Sequence, residues 1–270
     1  MIPAIINWNV TPGFEILGIE LRWYGFLFAF SFIIGYMIME KIFKWENVPV
    51  KELDRLAIYM IISTIVGARL GHCLFYQPEY YLMHPIEILN LRQGGLASHG
   101  AGVGILFALW LFARKRPKTS YLWVVDRIVI VVALSGFFIR LGNFFNSEIY
   151  GIEASVPWAV IFERIDNIPR HPVQLYESIS YLAIFIFLFF RYVKEKAKIP
   201  EGYLTGMFLI LVFGARFILE IWKTEQTDFM SGTLLSMGQI LSIPFVLIGF
   251  YLLYYSKNKS RAGRSKNWAF

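Results

Sequence analysis

Hydrophobic residues in this chain gather into long runs broken by short polar stretches. Residues 23 to 39 and 229 to 256 carry no charge at all. A helix that spans a bilayer needs about 20 mostly apolar residues. With a few internal charges allowed, the pattern predicts seven spans, at 23–43, 56–76, 96–113, 121–140, 173–192, 203–222 and 236–255. The third is the shortest and the richest in glycine.

Composition supports this pattern. The 270 residues are 57% hydrophobic and 18% aromatic, with only 17% charged, where a soluble domain carries about 25%. The predicted fold class is therefore an all-α integral membrane protein. Basic residues set its orientation. Lys41, Lys44, Lys51 and Arg55 lie around the first connection, and Arg114, Lys115, Arg116 and Lys118 lie in the third. Arg191, Lys194, Lys196 and Lys198 fill the fifth, and Lys257, Lys259, Arg261, Arg264 and Lys266 fill the tail. By the positive-inside rule the N-terminus is outside and the C-terminus cytoplasmic. The same residues largely account for the net charge of +7, so the charge reads as topology and not as nucleic-acid binding.

No repeat divides the chain, so residues 1–256 read as one polytopic domain and 257–270 as a basic cytoplasmic tail, disordered or lying on the membrane surface. The first 25 residues lack the basic start of a secretory signal and read as an interfacial segment. Residues 77–95 suit a second one. Residues 141–172, broken by Gly151, Pro157, Pro169 and Pro172, read as a small outward-facing head. Cys73 is the single cysteine, which rules out an internal disulfide and a cysteine metal site; it reads as a small buried hydrophobe.

Charge within hydrocarbon costs at least about 2.5–3.5 kcal/mol for a central arginine. Arg69, Arg140 and Arg216 each fall toward the outer end of a span. Their convergence on one leaflet points to an anion, although each could instead snorkel to headgroups. In "RLGNFFNSEIYG", residues 140–151, Asn143 shares a helix face with Arg140. Gly142 suggests a helix end nearby. Asn146, Ser147 and Glu148 would then fold back, with Glu148 neutralising Arg140 in the plainest account. Arg216 and Glu220 are spaced for an intrahelical ion pair.

In "GGLASHGAGVG", Gly100 and Gly104 with Ala97 and Ala101 suit close helix packing. His99 needs another reason, and its predicted depth matches that of Arg140. "RWYG" offers the Tyr24 hydroxyl, and "RHPVQLYES" places Gln174 and Glu177 one turn apart.

Arginine grips phosphate bidentately, so several outward arginines in a bilayer imply an anionic lipid headgroup. A histidine at that depth could accept a proton. Ser98 cannot face His99 on one helix, which argues against a serine protease. No P-loop, zinc or dinucleotide motif is present, so no cofactor and no metal is expected. These residues alone imply an enzyme or transporter handling anionic lipid. The transporter reading is weakened by the lack of repeats, and a non-catalytic lipoprotein-binding scaffold is the third alternative.

The motifs "RWYG", "GARLGH", "GGLASHG", "RLGNFFNSEIYG", "RHPVQLYES" and "LLSMGQILSIP" run from Arg22 to Pro244. In that order they resemble the bacterial prolipoprotein diacylglyceryl transferase family. Ala101 and Ser147 stand where glycine is frequent in that family. "KTEQTD" is a looser version of an arginine-containing stretch, which leaves Lys223 without a clear role. The resemblance implies transfer of the sn-1,2-diacylglyceryl group of phosphatidylglycerol to the lipobox cysteine of preprolipoproteins at the bacterial inner membrane. A thioether forms and glycerol 1-phosphate leaves. It implies catalytic roles for His99, Arg140 and Arg216. Substrate binding is implied for Arg140, Tyr24, Asn143, Glu148, Gly151, Glu177 and Glu220. Either His99 or the positive field of Arg140 would generate the thiolate, whose free pKa is about 8.5.

Overall fold

The computed structural model describes residues 6–16, 18–91, 94–116, 119–224 and 235–266. The first five residues of the expected interfacial segment, Lys118, residues 225–228 of "KTEQTD", Leu234 and the last four tail residues lie outside them.

The expected spans are helices. They are α1 Trp23–Trp45, α2 Val50–Phe75, α4 Ser98–Arg114, α5 Tyr121–Asn146, α6 Val173–Glu195, α7 Tyr203–Leu219 and α8 Met237–Lys266. The short helix α3, Pro78–Met83, and a 3-10 turn, Pro85–Leu89, follow α2. Among the described residues, six helical segments are long and apolar enough to cross a membrane, and α4 is apolar but shorter. Its 17 residues rise about 25 Å at 1.5 Å each. Helix α8 continues to Lys266, so the tail is helical that far. Contacts divide the chain into two compact units, Met1–Ile38 with Asp126–Phe270, and Met39–Val125.

Among the described residues of the first unit, five strands of two to four residues accompany the helices: β1 Ile6–Trp8, β2 Gly13–Ile16, β3 Ile19–Arg22, β4 Val160–Phe162 and β5 Pro169–Arg170. The sequence pattern gave no sign of them. Strands this short form only because tertiary partners are at hand. β1 runs parallel to β4, and β4 pairs antiparallel with β5. β2 and β3 form a hairpin that leads directly into α1. The N-terminal stretch is thus partly built into the head. The head's core is Phe144, Val160 and Phe162, packed by Trp8, Tyr150 and Leu175. Trp8 lies 4.3 Å from Phe144, ring centre to ring centre, and so fastens the sheet to the end of α5.

The same unit contains a buried cap absent from the sequence reading. Asp126 of α5, fully buried, accepts bonds from Gly202 N at 2.7 Å, Thr205 N at 2.8 Å and Thr205 Oγ1 at 2.5 Å. It satisfies the free N–H groups at the start of α7. Further along, a Cβ on Gly206 would meet Gly249 O at 2.9 Å, so α7 and α8 approach through small residues.

In the second unit α2 and α4 lock together through facing glycines. A Cβ on Gly71 would lie 2.6 Å from Gly100 Cα, and one on Gly104 would lie 2.7 Å from Ser63 O. This bears out the close-packing reading of Gly100 and Gly104 and supplies Gly67 and Gly71 as their partners. Ala97 packs beside Gly71. Cys73 is free and fully buried, as expected.

Candidate active site

Arg140 lies inside α5 and not at its end, because the helix runs on to Asn146. Gly142 therefore does not stop the helix. A Cβ there would come 3.0 Å from both Cα and Cδ2 of Tyr24, so Gly142 lets α1 approach α5. The helix ends one turn later. Ser147 takes φ 57°, Ser147 N bonds Phe144 O at 3.0 Å and Glu148 N bonds Asn143 O at 2.9 Å. These two bonds make a Schellman ending, and they turn Glu148 back over Asn143.

Around Arg140 the polar groups form one connected cluster. Arg140 Nε pairs with Glu177 Oε2 at 2.9 Å, and Glu177 is fully buried. Arg140 Nη1 reaches Asn143 Oδ1 at 3.4 Å, and Asn143 Nδ2 reaches Glu148 Oε2 at 3.4 Å. Asn146 Nδ2 donates to the other Glu148 oxygen at 3.1 Å. Gln174, also fully buried, donates to Glu148 O at 2.7 Å. Tyr24 lies within electrostatic range of both Arg140 and Glu148. Glu148 therefore does not neutralise Arg140 directly. That carboxylate is Glu177, and Glu148 acts through Asn143.

Lys223 is the group the sequence left without a role. Its Nζ lies 2.7 Å from Glu177 Oε1 and 3.4 Å from Glu220 Oε2, with only 8% of the side chain exposed. Glu177 is thus shared by two cations. The expected Arg216–Glu220 pair does not form. α7 ends at Leu219, and a 3-10 turn, Glu220–Trp222, carries Glu220 toward Lys223 instead. The Glu220 carboxylate also fills the space a Cβ on Gly238 would take, in the first turn of α8. Arg216 Nε is buried without a hydrogen-bond partner among the described residues. A buried guanidinium nitrogen left unpaired is costly, and an incoming oxygen would relieve that cost.

Gly151 is where the chain threads between two backbones. A Cβ there would lie 2.6 Å from both His171 O and Trp222 O. Gly151 N bonds His171 O at 3.0 Å, and Ile152 N bonds Trp222 O at 2.9 Å. Its bridge to Lys223 fixes the backbone that carries the cation. Gly151 is therefore a structural support of the cluster. On the head above it, Arg170 pairs with Asp166 at 2.6 Å. The Arg170 hydrogen bond holds the Asp166 carboxyl below the usual carboxylate range. Burial pulls His171 below the usual histidine range, and its Nδ1 lies 3.1 Å from the Tyr176 hydroxyl.

Two expected residues belong to the second unit. Arg69 is 3% exposed and spends its donors on backbone carbonyls. Nε bonds Ile88 O at 2.9 Å, Nη1 bonds Gly94 O at 2.6 Å and Nη2 bonds Glu87 O at 2.7 Å. It staples Glu87 and Ile88 to Gly94 and is not a third headgroup arginine. His99 occupies the first turn of α4 and is exposed, not buried. Its ring stands edge-on to Phe75 at 5.2 Å, with Tyr76 at 5.8 Å.

The profile of the prolipoprotein diacylglyceryl transferase family matches residues 12–255. A Tolumonas auensis phosphatidylglycerol–prolipoprotein diacylglyceryl transferase is 53% identical over 259 residues, covering 95% of this chain and 100% of that protein. A Chloroherpeton thalassium protein of the same name is 50% identical over 96% of this chain and 97% of its own length. One from Bacteroides fragilis is 41% identical over 94% and 97%. With a match of this extent, and the Arg140–Gly151 signature folded around a shared buried carboxylate, the chain belongs to the prolipoprotein diacylglyceryl transferase family.

Proposed function

We propose that this protein moves the sn-1,2-diacylglyceryl group of phosphatidylglycerol onto the cysteine thiol of a preprolipoprotein lipobox. The observation that carries the site assignment is the cationic cluster of Arg140, Arg216 and Lys223 at one end of membrane-length helices. Arg140 and Lys223 are held by Glu177, and Arg216 Nε lacks a partner among the described residues.

In the reaction the thiol sulfur bonds to the terminal glyceryl carbon as the bond from that carbon to the phosphate oxygen breaks. The electron pair leaves on glycerol 1-phosphate, and the thiol gives up its proton. Negative charge grows on the phosphate oxygens, where fixed guanidinium donors stabilise it. Arg140 and Arg216 take that role. Tyr24, Asn143 and Glu148 orient the headgroup around Arg140. Glu177 and Glu220 hold the cations, and Gly151 keeps Lys223 in place. His99 is the proposed proton acceptor.

The topology belongs to the same reading. α4 makes a seventh crossing, since spans of about 17 residues suffice. The N-terminus lies outside and the basic tail in the cytoplasm, and residues 1–256 act as one membrane domain. The site then opens to the outer leaflet of the bacterial cytoplasmic membrane, where lipid and lipobox peptides meet.

Purified protein incubated with phosphatidylglycerol vesicles and a lipobox peptide should add a diacylglyceryl mass to the peptide. A Cys→Ser peptide should gain nothing. Arg140→Ala should abolish transfer while inserting normally in the membrane, and near-normal lipidation by it refutes the assignment. Substantial activity in His99→Gln refutes the proton-acceptor role alone.

A further inference from the structure

We infer that Tyr181 is a positioning residue for the Arg140 guanidinium, an inference that rests on the transfer reaction proposed above. Tyr181 follows Glu177 by one turn of α6, and Gly136 precedes Arg140 by one turn of α5, so each pair shares a helix face. The two faces meet in two rungs. Glu177 pairs with Arg140 at 2.9 Å. The ring of Tyr181 lies flat in the notch at Gly136, where a Cβ would come 2.8 Å from its Cδ2 and 3.4 Å from Cγ and Cε2. No larger residue at 136 leaves that ring where it is.

The consequence falls on the phenol. Tyr181 is 8% exposed, and its phenol sits within electrostatic range of the Arg140 guanidinium. It also lies within electrostatic range of Glu177 and Arg216. The Arg140 fork is thus held by a carboxylate at Nε and an amide at Nη1, and the phenol seated at Gly136 lies beside it. A neutral phenol fixes the plane of the guanidinium without cancelling its charge, which a second carboxylate would do. Catalysis by fixed donors depends on their being oriented before reaction. A displacement near 1 Å costs about a hundredfold in rate.

Tyr181→Phe keeps the ring in its notch and removes only the oxygen. We expect its kcat to fall by about tenfold to a hundredfold with KM for phosphatidylglycerol little changed and thermal stability close to the parent's. Gly136→Ala should displace the ring and lower kcat similarly. Because both variants act on one seat, the double variant should be little worse than either alone. Parent-like kcat in Tyr181→Phe overturns the inference, as does a loss that tracks only a fall in thermal stability. A second readout needs no turnover. Solvent exchange at the Arg140 Nε–H, followed by nitrogen-15 NMR in detergent, should quicken in Tyr181→Phe, and equal exchange overturns the inference. A parent protein that transfers nothing defeats the proposed function instead, while the exchange measurement still decides the seat.

Discussion

Replacing Ser147 with glycine should stabilise the protein. Ser147 ends α5 at φ 57°, in the left-handed region that costs a residue with a Cβ about 1–2 kcal/mol. Its hydroxyl is also buried without a hydrogen-bond partner among the described residues, at 2% residue exposure. An orphaned buried hydroxyl costs about 1–3 kcal/mol. Glycine removes both penalties, and its greater freedom in the unfolded chain returns about 0.4–1 kcal/mol. A net gain of about 1–4.6 kcal/mol remains. At about 2–4 °C per kcal/mol for a chain near this size, the melting temperature should rise by at least about 2 °C and by up to about 18 °C. Differential scanning fluorimetry in one detergent, parent against Ser147→Gly, measures it. An unchanged or lower melting temperature refutes the reasoning. A raised melting temperature with lost transfer would show instead that the hydroxyl serves the substrate.

Arg69→Lys should loosen the 85–91 segment, because a compact ammonium cannot reach carbonyls spread along the fork that Nε, Nη1 and Nη2 span; hydrogen exchange of that segment should rise without a change in lipid affinity. Gly100→Ala should destabilise by about 1–3 kcal/mol through overpacking, because a Cβ there overlaps Gly67 O and Gly71 Cα. Gly102→Ala, with nothing within 4 Å, should be neutral or slightly stabilising in the same melt. The lowered Asp166 carboxyl implies that its pairing with Arg170 supports the head above the unfolded carboxyl pKa of about 3.9. That support is lost as pH falls through the lower folded value. Asp166→Asn should therefore raise hydrogen exchange in the head at pH 7, and the difference from the parent should shrink as pH falls below the unfolded value of about 3.9.

The helices could be read from the sequence because crossing a bilayer demands one long apolar run for each span. The signature could be read because Arg140, Asn143 and Glu148 lie within nine residues, and the family resemblance covers them. The ion pairs could not. Glu177 joins Arg140 to Lys223 across separations of 37 and 46 positions, and no local spacing encodes that choice. The i,i+4 spacing of Arg216 and Glu220 misled, because the 3-10 turn that begins at Glu220 brings Lys223 against its carboxylate instead. Arg69 misled for another reason. Charge at membrane depth reveals that a partner exists but not whether it is a ligand or a backbone carbonyl. Ser147 stands between these cases: its departure from the family's frequent glycine was visible, and the φ of 57° supplies the physical reason.

Charge balance in the cluster leads to one further expectation. The cluster sets three cations, Arg140, Arg216 and Lys223, beside three carboxylates, Glu177, Glu220 and Glu148. The empty site is then close to neutral, which limits the cost of burying it. The leaving group carries up to two negative charges, more than the site can match, and this favours its release. Glu220→Gln raises the balance by one and frees Lys223 from its 3.4 Å contact. Two unit charges 4 Å apart interact by about 1 kcal/mol in water and about 4 kcal/mol near a protein surface. Product inhibition by glycerol 1-phosphate should therefore strengthen at least about fivefold in Glu220→Gln. Steady-state inhibition with added glycerol 1-phosphate measures this. An unchanged or weaker inhibition constant would mean that Glu220 does not set the charge felt by the phosphate, and that its place against Gly238 is purely structural.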